Sequence, residues 1–162
     1  MNDDAVQFLA DGMLGKLAKW LRLLGYDTAY DNAATDHELA RRARAEDRVL
    51  LTRDRELTRR RGLRVLLIES ERLENQVQEV WYAFGPPPHP ALSRCSVCNT
   101  ALQPVHADEV TDRLPPYVLR TQTEFHRCPG CGRVYWPGTH QDHIRQRVEQ
   151  LVAVGKSRPP AE

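Results

Sequence analysis

Two cysteine pairs constrain this chain more than any other feature. Cys95 and Cys98 form one CxxC unit, and Cys128 and Cys131 form a second. They are the only cysteines, and all lie in the C-terminal half. Paired CxxC turns deliver thiolates two at a time to a tetrahedral ion, so the pattern reads as a structural Zn²⁺ site with no open coordination position. Gly132 follows the second pair and Asn99 the first, and both tolerate the left-handed backbone that such turns need. Phe125-His126-Arg127 and Arg133-Val134-Tyr135-Trp136 read as the two strands of a hairpin. The gap between the pairs exceeds the usual spacing, so an inserted element is expected around Ala107–Leu119. His126 and His140 lie close by in sequence, but four thiolates leave no vacancy for them.

Upstream, the patterning alternates between strand and helix. Apolar runs at 6–10, 26–30, 48–52 and 64–68 are separated by helical periodicity over 13–24, 35–46 and 73–84, with a short basic turn at 54–61. Gly25 is placed to stop the first helix, and Thr35-Asp36-His37-Glu38 carries a capping-box pattern. This βαβαβαβα order predicts an α/β fold with a parallel sheet flanked by helices. A proline-rich stretch, Gly85-Pro86-Pro87-Pro88-His89-Pro90, then breaks the pattern. The expected organisation is an α/β domain over 1–86, a small zinc ribbon over 92–145, and a helix end with a flexible tail over 146–162, fraying from about Val152.

Charge is distributed unevenly. The chain as a whole is +1, yet ten arginines face four acids between Arg41 and Arg64. Lys16, Lys19 and Arg22 recur every third residue on the first helix, away from its apolar side. Such groups suit phosphate, and equally suit a solvated helix face. No run approaches a membrane span and the N-terminus lacks a signal-peptide pattern, so a cytoplasmic protein is expected.

The upstream module has no cysteine, no Gly-rich phosphate loop and no triad set. Its distinctive feature is the placement of acids. Asp11 ends the first strand, Asp31 lies past the second, Asp54 follows the third, and Asp36 and Glu38 open a helix. Strand C-termini and helix N-termini share one edge of a parallel sheet, where ligands bind. Carboxylates gathered there repel one another unless a hard cation such as Mg²⁺ or Mn²⁺ neutralises them, and such ions activate water for phosphodiester hydrolysis. The same acids suit helix capping: Asp11 and Asp54 before turns, Glu38 as the partner of Thr35.

The stretch from Phe8 to Asp27, together with Asp36-x-Glu38-Leu39, Val49-Leu50-Leu51-Thr52-Arg53-Asp54 and the ribbon from Cys128-Pro129-x-Cys131 to His140, resembles the Mut-seven C-terminal RNase family over about residues 6–145. That resemblance implies a PIN-like nuclease domain fused to a zinc ribbon. It implies a metal-dependent ribonuclease with Asp11, Asp36 and Asp54 holding Mg²⁺ or Mn²⁺, Glu38 as a further acid, and Asp31 or Asp142 as candidates for a fourth. Lys16, Lys19, Arg22, Arg53 and His140 are then expected to contact RNA, with Arg133 offered by the ribbon. A different class of function also fits: a non-catalytic adaptor holding RNA or a ribosomal partner through the basic face and the ribbon.

Overall fold

The computed structural model describes residues 4–137 and 139–157, the side chains of 139 and 140 excepted. Among the described residues seven strands and five α-helices follow in order: β1 Gln7–Ala10, α1 Gly15–Leu24, β2 Asp27–Tyr30, α2 Asp36–Ala45, β3 Val49–Thr52, β4 Val65–Leu67, α3 Leu73–Phe84, β5 Gln103–Val105, α4 Pro116–Thr121, β6 Phe125–Arg127, β7 Val134–Tyr135 and α5 Thr139–Lys156. The first four strands form one parallel sheet in the order β2-β1-β3-β4. β5, β6 and β7 form a separate antiparallel sheet.

The apolar runs are nearly continuous because both sheet faces are covered. Side chains alternate between the two faces. Phe8, Ala10, Val49 and Leu51 enter one core with Leu17 and Leu21 of α1, Val77 and Val80 of α3, and Val148 and Leu151 of α5. Leu9, Ala29 and Leu50 enter the other with Leu39 and Ala43 of α2 and Leu57. Tyr26 is fully buried, stands edge-on to Phe8, and donates to the Gly85 carbonyl at 2.6 Å. Its hydroxyl thereby anchors the start of the proline-rich stretch, and burial pushes its pKa well up.

Local signals in the sequence explain the element ends. Thr35 and Glu38 make the reciprocal capping box. The predicted first helix begins as a 3-10 turn at Gly12–Leu14 and becomes α-helical from Gly15. Gly25 ends it at φ +113°, and a Cβ there would lie 2.1 Å from the His89 carbonyl oxygen. No other residue type can take that backbone so close to the linker.

The C-terminal segment departs from the reading as a fraying tail. Helix continues through Lys156 and lies against α3 and α1. Ile144, Val148, Leu151 and Val152 supply its apolar stripe. Arg147 pairs with Glu74, and Gln78 Nε2 donates to Ser157 O at 3.1 Å. Gly155 permits the close crossing, since a Cβ there would fall 2.3 Å from Trp81 Cε3. Residues 1–3 and 158–162, named in the sequence reading, lie outside the described residues. Among the described residues no helix is long and apolar enough to cross a membrane.

Candidate functional site

The sheet order puts β1 between β2 and β3. The chain leaves β1 toward β2 on one side and reaches β3 on the other, so the β1/β3 boundary is a topological switch point, where open α/β sheets bind ligands. Asp11 and Asp54 stand just past the ends of these two adjacent strands. Asp11 is 6% exposed, its Oδ1 accepting from Met13 N at 3.0 Å. Its Oδ2 accepts from Thr52 Oγ1. The same hydroxyl accepts the Asp54 N–H at 3.0 Å. Asp54 Oδ1 in turn accepts from Glu56 N at 2.9 Å. Thr52 is therefore the bridge between the two acids. The sequence reading assigned it no role, although a buried hydroxyl ending a strand before Arg53-Asp54 was a usable signal.

The remaining predicted residues divide. Asp36 is exposed at the first position of α2. Glu38 closes the helix cap, with Oε2 accepting the Thr35 N–H at 2.9 Å, the capping role that the sequence pattern also suits. Asp31 Oδ1 accepts from Ala33 N at 2.9 Å in a local turn, and Asp142 is exposed in the first turn of α5. Arg53 is at the acidic edge, 3.7 Å from Glu71. Lys16 and Lys19 are exposed on α1. The side chain of His140 lies outside the described residues.

Arg22 departs from the expectation of a surface phosphate contact. It faces no open surface: it is 7% exposed. Its Nε donates to Thr28 O at 2.7 Å, and its Nη1 donates to Ser96 O at 3.0 Å and Val97 O at 3.1 Å. It grips the first cysteine turn from α1. Beside it Asn99 accepts from Thr28 N at 2.9 Å and donates to Asp27 Oδ1 at 2.6 Å. Asp27 also pairs with Arg48 at 2.8 Å and Arg94 at 3.5 Å. Burial opposes its charge, but hydrogen bonds from Arg48 and Asn99 outweigh that, and the carboxyl is held below the usual range. The ribbon thus docks where β2 begins, at the sheet edge opposite the acids.

At the cysteine site all four Sγ atoms lie within 4.8 Å of one another. Cys95 and Cys131 sulfurs are 3.7 Å apart, and Cys98 and Cys128 sulfurs 3.1 Å. A tetrahedral ion with Zn–S bonds of about 2.3 Å separates its sulfurs by about 3.8 Å, so the four-sulfur donor set suits zinc, and the Cys98–Cys128 pair is closer than in the bound geometry. Asn99 (φ 71°) and Gly132 (φ 80°) take the left-handed conformation expected of them. Their N–H groups donate to Cys95 O at 2.9 Å and Cys128 O at 2.8 Å, which closes two equivalent turns. Tyr135 Oη lies 3.0 Å from Cys95 Sγ. Burial lowers the Arg22 pKa and the Cys98 and Cys95 thiolates oppose that shift, so a buried cation sits beside a cluster that carries net negative charge even with a divalent ion. Among the described residues this is the one group of three or more His, Cys, Asp or Glu side chains whose ligand atoms converge so closely; Asp11, Asp36 and Asp54 do not.

A parallel four-stranded sheet flanked by helices, with a cluster of four cysteines toward the C-terminal end able to hold a metal such as zinc, defines an α/β protein. The Mut7-C RNAse domain model matches residues 6–148, most of the chain, and the chain belongs to that family. The family gives it a ribonuclease-type function with RNA as substrate. Comparison with curated proteins finds no match, nor does comparison with solved structures.

Proposed function

We propose that the protein is a PIN-like, metal-dependent ribonuclease whose acidic centre is the β1/β3 switch point, with a purely structural zinc in the ribbon. The observation that carries the reading is the link from Asp11 through Thr52 to Asp54, inside a chain that belongs to an RNase domain family.

Asp11 and Asp54 are the principal carboxylates, and Asp36 completes the set from the start of α2. All are oxygen donors, which suits Mg²⁺ or Mn²⁺. Asp54 keeps one carboxylate oxygen with no hydrogen bond among the described residues, and Asp36 keeps both. A bound divalent ion supplies activated water and charge neutralisation at phosphorus. The protein groups do the rest. Thr52 fixes the Asp11 carboxylate and the Asp54 backbone, so neither reorganises when substrate arrives. Lys16, in the first turn of α1, and Arg53 take phosphate oxygens without reading base identity. Hydrolysis forms a bond from water oxygen to phosphorus and breaks the bond to the leaving ribose oxygen.

The adaptor reading predicts salt-dependent RNA binding with no divalent requirement. Mn²⁺ titration separates the two readings. One or two Mn²⁺ ions binding to wild type, and weaker binding to Asp11→Asn and Asp54→Asn, support the nuclease; indifference of Mn²⁺ binding to both substitutions supports the adaptor. Cytoplasmic location belongs to the same proposal, as does the division into an α/β domain and a ribbon module.

A further inference from the structure

Between the two cysteine turns the chain builds more than a loop. The 3-10 turn Ala107–Glu109 and α4 enclose a small core of Val110, Val118 and Phe125. Arg113 Nη1 donates to Gly132 O at 2.7 Å, tying this insertion to the second cysteine turn. The insertion forms one wall of a cleft of about 740 Å³, the hairpin β6–β7 and the first cysteine turn form another, and α1 and the start of α5 close it.

Its lining has a definite chemistry. Three cations face it, Lys19, Arg113 and Arg133, and among the described residues no acidic side chain lines it. Among the described residues none of the three forms an ion pair. Aromatic surface shares the lining: Trp136, partly buried, and Tyr117 with 62% of its surface exposed. Unneutralised cations beside an open aromatic face match a single strand of nucleic acid, which offers both phosphates and unstacked bases. A duplex hides its base faces and offers such a cleft only phosphate.

We infer that this cleft is a single-stranded RNA subsite, separate from the acidic edge, in which Tyr117 stacks on a base and Lys19, Arg113 and Arg133 hold flanking phosphates. The inference rests on the ribonuclease reading for its choice of RNA. Lys19 stands four residues, about 6 Å of helix rise, into α1 from Gly15, and Lys16 lies one turn nearer the acids. A strand seated in the cleft is thereby led along α1 toward Asp11. The subsite gives the long insertion between the cysteine pairs a purpose, and it makes the ribbon a substrate-holding element as well as a folded appendage.

The test is fluorescence anisotropy of a short labelled oligouridine RNA with zinc-loaded full-length protein, without added Mg²⁺ or Mn²⁺. Tyr117→Ala weakens binding roughly 5- to 150-fold, the span of a lost stacking contact, and Tyr117→Phe restores it. Arg133→Gln makes the salt dependence shallower by about 0.7 in log–log slope, one phosphate contact on a single strand. Duplex RNA binds more weakly than the oligouridine. Wild-type affinity in Tyr117→Ala and Arg133→Gln overturns the subsite, as does equal affinity for the duplex or no binding at all. Cleavage kinetics under Mn²⁺ keep the two readings apart. Cleavage abolished by Asp11→Asn, with unchanged RNA affinity and KM in the cleft variants, refutes the subsite and leaves the nuclease intact. Weakened binding in Tyr117→Ala, with no cleavage by wild type under any divalent ion, supports the subsite and refutes the nuclease.

Discussion

Thr52 Oγ1 donates a hydrogen bond to Asp11 Oδ2, joining the last residue of β3 to the residue just past β1. The hydroxyl is fully buried and is also the acceptor for Asp54 N–H. One side chain therefore sets the positions of both acids. Thr52→Val keeps the shape and removes both bonds. The expected result is a folded protein with a raised divalent-ion requirement and activity down about 10- to 100-fold, as for other residues that orient metal ligands. Metal-dependence curves of the cleavage rate check this; an unchanged curve contradicts it.

Arg22 joins α1 to β2 through Thr28 O and to the ribbon through Ser96 O and Val97 O. Arg22→Met removes the donor from all three carbonyls, the buried Thr28 carbonyl among them, and a cost of about 3 kcal/mol in unfolding free energy is expected. Faster hydrogen exchange should appear around Ser96 and Val97 as well as Thr28, because the contact spans both modules. Exchange altered in α1 alone contradicts this role.

Asp27 supplies a pH dependence. Its carboxyl is held below the ordinary range in the folded state, so its contribution is present above the unfolded value of about 4 and is lost as pH falls through the folded value. Wild type should exceed Asp27→Asn in stability by about 2–3 kcal/mol at neutral pH. The gap should close in acid, below about pH 4. Denaturant melts of the two proteins side by side test it, since acid-driven metal loss is common to both. A gap that stays constant with pH contradicts the ionised role of Asp27.

Metal removal should act on the ribbon first. One ion held by the four thiolates would tie together β5, β6, β7 and the insertion, which has only a small core of its own. Chelation should raise hydrogen exchange across residues 93–137 while the parallel sheet stays protected, and metal analysis should return one zinc per chain. A ribbon that stays protected without metal contradicts the structural role.

Much of this was legible in the residues. The four parallel strands could be read because Val49-Leu50-Leu51 and Val65-Leu66-Leu67 are apolar on both faces, as only a doubly covered sheet requires, while Tyr26–Tyr30 alternates as a strand does. The α2 cap and the left-handed Asn99 and Gly132 are local signals, and local signals survive folding. Arg22 was misread because its spacing from Lys16 and Lys19 suggests one face, whereas its partners lie 74 and 75 residues away. The end of α5 from about Val152 was read as fraying because its contacts have meaning only against α3, including the crossing of Gly155 on Trp81. Thr52 was passed over because a threonine ending a strand usually has no partner worth naming. Long-range pairing decided each of these.

The most direct test of the central claim is RNA cleavage under Mn²⁺ by wild type, Asp11→Asn and Asp54→Asn, each purified with its zinc. The account predicts cleavage by wild type and a loss of at least about 100-fold in both variants, with folding and RNA affinity retained. Cleavage at equal rates by all three proteins would contradict it.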